Sequence, residues 1–174
     1  MLDPRVLVVT AVVMLASGCA SDPGPVATAD PIRPGASAVT VTDPNGELLG
    51  AAAAGDVDGV ARALQAGADI EARDGQQRTA LLLAAAADHV EVARLLVSRG
   101  ADPDALDAQH DTPWLVTGVT GSVAMLEALL PAHPDLTIVN RFGGVSVIPA
   151  AERGHVDYVR RVATTGIDLN HVNR

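Results

Sequence analysis

RTALLLAAAADHVEVARLLVSRGAD, residues 78–102, is the stretch whose reading decides the fold. It holds two apolar patterns of helical period, Ala80 to Ala87 and Val90 to Ser98. Neither could bury its own face alone. Asp88 and His89 interrupt the period, so the second helix folds back antiparallel to the first. Gly100 then stands at the C-terminus of the second helix, where a left-handed residue satisfies the last carbonyls and glycine has no Cβ to clash.

The pattern recurs outward at a spacing of 33 residues. GAD at 67–69 and GAD at 100–102 are followed in register by Asp135 (AHPD) and Asp168 (TGID). Leu48, Leu81, Trp114 and Val147 keep the same step, as do Val57, Val90, Val123 and Val156. Gly67 and Gly166 occupy the place of Gly100, but His133 replaces it in the third unit, which predicts a positive φ or a distorted turn there. Repetition of this length means stacked units sharing one core, and here that core is built from Ala, Leu and Val.

The 33-residue pattern resembles the ankyrin repeat. The family motif TPLHxAA reads here as TALLLAA (79–85) and, less closely, as TPWLVTG (112–118) and VSVIPAA (145–151), with its His replaced by Leu82, Leu115 and Ile148. GHxEV reads as DHVEV (88–92) and GHVDY (154–158), and GADVN as GADIE, GADPD and GIDLN. The resemblance implies an all-α solenoid of about four helix-turn-helix units, at about 42–73, 74–106, 107–139 and 140–172, with the repeat domain running over 45–172. It also places His89 and His155 where the family uses histidine for turn hydrogen bonds. Asn173 and Arg174 repeat Asn140 and Arg141, as if a fifth hairpin begins. A flank including Val156, Val159 and Val162 is therefore expected to be open, either because the product is truncated or because the flank is a docking surface.

Ahead of the repeats, Val6 to Ala16 (VLVVTAVVMLA) is an apolar run preceded by Arg5 and followed by Ser17, Gly18 and Cys19, the layout of a signal peptide over 1–18. It is about half the roughly 20 residues a spanning helix needs. LASGC resembles the bacterial lipobox, although Ala16 stands where its commonest form has Leu. That implies lipidation of Cys19, the alternative being an ordinary buried or free thiol. A lone cysteine in an exported chain can form no internal disulfide. Residues 19–44 then read as a lipidated cysteine and a flexible Pro/Gly/Ala/Ser/Thr tether. The expected location is extracytoplasmic and lipid-anchored: on the outer membrane facing the periplasm if the cell has two membranes, otherwise on the outer face of the cell membrane.

The formal net charge of −9 disfavours nucleic acid, and the chain has no lysine. No two histidines share the helical spacing of a metal site, and neither a GxSxG nor a glycine-rich phosphate loop is present. The expectation is a non-enzyme with no catalytic residues, metal, cofactor or small-molecule substrate, whose partner is another protein. Ankyrin stacks bind through hairpin tips and the exposed positions of their inner helices. Carried over unit by unit, the resemblance selects Arg73, Gln76 and Arg78, then Gln109 and Asp111, then Arg141, Phe142, Glu152 and Arg153. Arginines and Phe142 lead, because Arg and aromatic residues dominate binding hot spots. Trp114 takes a core leucine place and is no candidate. Two functional readings remain: an anchored adaptor or scaffold, and an inhibitor or protective factor of the immunity or catalase-support kind.

Overall fold

A computed structural model describes residues 43–170, so the signal peptide, Cys19, nearly all of the tether and the start of a fifth hairpin lie outside the described residues. Four helix pairs follow in chain order. They are α1 (Pro44–Ala54) with α2 (Val57–Gln65), α3 (Ala80–Ala86) with α4 (Val90–Ser98), α5 (Pro113–Thr120) with α6 (Val123–Leu129), and α7 (Val147–Glu152) with α8 (Val156–Val162). A short 3₁₀ turn at Leu130–Ala132 extends α6. The inner helices α1, α3, α5 and α7 pack in sequence, and the outer helices α2, α4, α6 and α8 pack alongside them. The architecture is all-α, with one isolated β-bridge, Arg73 to Thr79, among the described residues.

Capping chemistry sets where these helices start. Thr79 Oγ1 accepts from Leu82 N and Thr112 Oγ1 from Leu115 N, which is why threonine opens both TALL and TPWL. Asp56 and Ser122 cap α2 and α6 in the same way. The first helix begins at Pro44: Asp43 accepts from Asn45 N, and Pro44 occupies the first turn, where its missing N–H costs nothing.

The aspartates in 33-residue register have a common cause. Asp69, Asp102, Asp135 and Asp168 each accept, through Oδ1, from the backbone N–H two residues on. The loops are also tied to each other, since Glu71 accepts from Asp102 N and Asp104 from Asp135 N. His133 adopts φ 55°, the left-handed turn expected where glycine is missing.

Helices of 6 to 11 residues are shorter than the roughly 12 needed for an isolated helix to persist, so stability comes from neighbouring units. Leu48, Leu81, Trp114 and Val147 are all buried. Val60, Ala93 and Leu126 are fully buried, whereas Val159 at the same register is only half-buried, and Val156 is 61% exposed. Ala52, Ala85 and Gly118 are buried while Ala151 is exposed. The open face of the fourth unit is therefore Ala151, Val156 and Val159. Val162, expected on that face, is fully buried: with Ala63, Leu96 and Leu129 it holds the core register that points into the stack. His89 donates its Nε2–H to the Ala53 carbonyl of the preceding unit at 3.1 Å, next to the turn that ends α1. His155 packs on Gly121, and its Nε2 is buried without a hydrogen-bond partner among the described residues.

Candidate functional site

Each hairpin tip is a turn wound around one side chain. Asp74 Oδ1 accepts from Gln76 N and Arg78 N, Asp107 Oδ1 from Gln109 N and Asp111 N, and Asn140 Oδ1 from Phe142 N and Gly144 N. The fourth residue of each turn has positive φ: Gln77, His110 and Gly143. Neighbouring tips are joined, Ala108 N donating to the Gln76 carbonyl at 3.0 Å and Arg141 Nη1 to Gln109 Oε1 at 2.8 Å. The tips thus form a continuous edge beside the inner helices.

Between that edge and the inner helices lie two hollows that meet at Asp111. One, of about 590 Å³, has Leu115, Val119, Ile148 and Pro149 as apolar floor and Asp111, Arg141, Phe142, Glu152 and Arg153 around it. The other, of about 390 Å³, is lined by Gln76, Arg78, Leu82, Ala86, Asp107, Ala108, Gln109, Asp111 and Val116. Eight of the nine residues selected from the sequence therefore border one groove along units two to four. Arg73 does not. Its Nη1 donates to the Leu106 carbonyl at 2.6 Å and to the Gln77 carbonyl at 3.1 Å, so it ties the second tip to the last residue of the second unit.

The charged residues differ in how free they are. Arg78 is paired with Asp74 through contacts of 2.7 and 2.8 Å. Burial opposes ionisation of Asp74, but hydrogen bonds from the Arg78 backbone and guanidinium and from Gln76 N prevail and hold its carboxyl below the ordinary value. Asp111 goes the other way: burial, and then the negative charge of Asp107, push it up against the weaker pull of Arg141 and His110. Arg141 lies over the Phe142 ring at 4.7 Å, and Phe142 is 59% exposed, an aromatic surface supported from one side. Glu152 and Arg153 are exposed at the C-terminus of α7.

The apolar floor was not among those nine residues. A signal for it was present: Leu82, Leu115 and Ile148 stand at the three places where the motif would have histidine, and all three border the groove. Among the described residues no group of three or more His, Cys, Asp or Glu could hold a metal, and no helix is long and apolar enough to cross a membrane.

Comparison with known proteins identifies a family and a relative. The profile of the family described as "Ankyrin repeats (3 copies)" matches residues 48–140. YahD of Escherichia coli (strain K12), which bears the name of an ankyrin repeat protein, is 38% identical over 128 residues, 73% of this chain and 64% of YahD. The chain thus spans slightly less than two thirds of that relative.

Proposed function

The chain belongs to the ankyrin-repeat family, and from that premise we propose that it is a membrane-anchored adaptor that holds a partner protein in the groove along its hairpin tips. Ankyrin repeats mediate protein–protein interaction, so binding is the activity to be specified. One observation carries the site: Asp111, Arg141, Phe142, Glu152 and Arg153, drawn from two units, converge on an apolar-floored hollow of about 590 Å³. An exposed aromatic beside arginine, bordering an apolar floor, has the composition of a binding hot spot. The anchor rests on the apolar run 6–16 and on Cys19 as the sole cysteine. Two acyl chains would hold the chain to a bilayer without a spanning helix, each buried methylene contributing about 0.8 kcal/mol.

Affinity capture from detergent-solubilised membranes tests the groove. Recovery of a partner should fall sharply when Arg141 and Phe142 are both changed to Ala, and unchanged recovery would rule out the tip assignment. The anchor is tested separately by fractionation: a Cys19→Ser variant should leave the membrane fraction, and a variant that stays there contradicts lipidation.

A further inference from the structure

The second and third hairpin tips place opposite charges at the same position of the repeat. In the second unit the tip residue Asp74 is neutralised by Arg78, four residues on, whose guanidinium lies 2.7 to 2.8 Å from the carboxylate. In the third unit the tip residue is Asp107, and the position equivalent to Arg78 is Asp111, a second carboxylate. Residues 107–139 contain four acidic residues and no arginine. Neither Asp107 nor Asp111 has an ion-pair partner within 4.0 Å among the described residues, and Asp111 is half-buried where the two hollows meet.

We propose that the groove takes a segment of its partner carrying an arginine beside an apolar side chain, the guanidinium seated between Asp107 and Asp111 and the apolar group on Leu115, Val119 and Ile148. This rests on the adaptor reading and specifies its partner. The other groove charges do not reverse the sign. Glu152 and Arg153 are exposed, so water already solvates them and pairing gains little. Arg141 is held by Gln109 and stacked on Phe142. Asp111 is the groove charge that the fold withdraws from water beside a like charge, and a partly desolvated carboxylate gains most from a hydrogen-bonded counter-ion. The Arg78–Asp74 pair shows within the same chain that a guanidinium fits this turn, and planar bidentate pairing favours arginine over lysine.

The experiment titrates the full chain with three blocked peptides, acetyl-Ala-Leu-Arg-Leu-Ala-amide and its citrulline and glutamate counterparts, following the methyl NMR signals of Leu115, Val119 and Ile148. Citrulline keeps the shape of arginine without its charge. The arginine peptide should shift these signals saturably, on the order of tenfold more tightly than the citrulline peptide, equivalent to about 1.4 kcal/mol, and the glutamate peptide should leave them unmoved. Asp111→Asn should remove the preference for arginine while the spectrum stays folded. Equal binding of arginine and citrulline, a preference for glutamate, shifts confined to residues away from the groove, or no binding by any peptide would each overturn the proposal. None of these outcomes decides the adaptor reading, which stands or falls on partner recovery with Arg141 and Phe142 changed to Ala.

Discussion

The junction between the second and third units and the junction between the third and fourth are built from different materials. At the first, α3 is opened by a threonine cap and buries six of its seven residues, all Ala or Leu, and it packs on α5 with Ala85 buried at the register of Gly118. At the second, α7 has six residues with Pro149 inside, and no side chain caps its start at Ser146. Gly118 replaces the alanine because the Ser146 carbonyl oxygen comes within 1.8 Å of where a Cβ would be. A polar chain crosses this junction. Thr117 Oγ1 donates to the Trp114 carbonyl at 2.7 Å, which leaves its oxygen to accept from the Tyr158 hydroxyl at 2.6 Å. An apolar junction of small residues tolerates local change, whereas one built on a backbone contact and a hydroxyl chain depends on a few atoms. The fourth unit, secured this way, also contributes Arg141, Phe142, Glu152 and Arg153 to the groove. Half of the candidate site therefore sits on a unit whose docking depends on a few atoms, where partner binding and ordering are easily coupled.

The sharpest way to break this contrast is Gly118→Ala. The added methyl must displace the Ser146 backbone, and urea unfolding should show a loss of up to about 3 kcal/mol. The reciprocal change in the second unit, Ala85→Gly, should lower stability by only about 1 kcal/mol, from backbone entropy and one lost methyl. Equal effects would erase the distinction between the junctions. Tyr158→Phe should come next. It removes the hydroxyl from the buried Thr117 and should cost about 1 kcal/mol, with hydrogen exchange in α7 and α8 accelerated more than in α3 and α4. Thr79→Ala should lower the unfolding midpoint by a comparable or smaller amount, about 1 kcal/mol, through loss of the α3 cap.

The smallest effects concern pH. Asp74 is held below its ordinary value, so its contribution is present at neutral pH and is lost as pH falls through its folded-state range. Asp74→Asn should thus be less stable than the parent at neutral pH, with the gap closing in acid. Asp111 is pushed up, so its ionised form opposes folding at neutral pH and the opposition fades as pH falls through its raised range. Asp111→Asn should be as stable as the parent or slightly more so at neutral pH, the difference again vanishing in acid. Urea midpoints measured across the carboxylate range read both signs.

Much of this organisation is legible in the sequence because stacking repeats a physical demand. Leu48, Leu81, Trp114 and Val147 keep their register because each fills the same core place, and Asp69, Asp102, Asp135 and Asp168 keep theirs because each closes the same turn. Even the exception at His133 is readable, since a missing glycine leaves a left-handed turn to be filled. What register does not reveal is direction. Val156, Val159 and Val162 look alike as a valine series, yet Val162 points inward and the other two toward the open face. Arg73 and Arg78 look alike as tip arginines, yet one is held by carbonyls and the other by Asp74. The contact of Gly118 with the Ser146 carbonyl joins residues 28 positions apart and leaves no local trace.

The central claim, that a protein partner lies in the groove on units three and four, is tested most directly by site-specific photo-crosslinking in membranes. A crosslinking amino acid placed at Phe142 or Val119, both exposed at the groove, should capture a discrete protein, and one at Arg94, exposed on α4, should not. Capture of the same protein with equal yield from Arg94, or of none from Phe142 and Val119, would contradict the account.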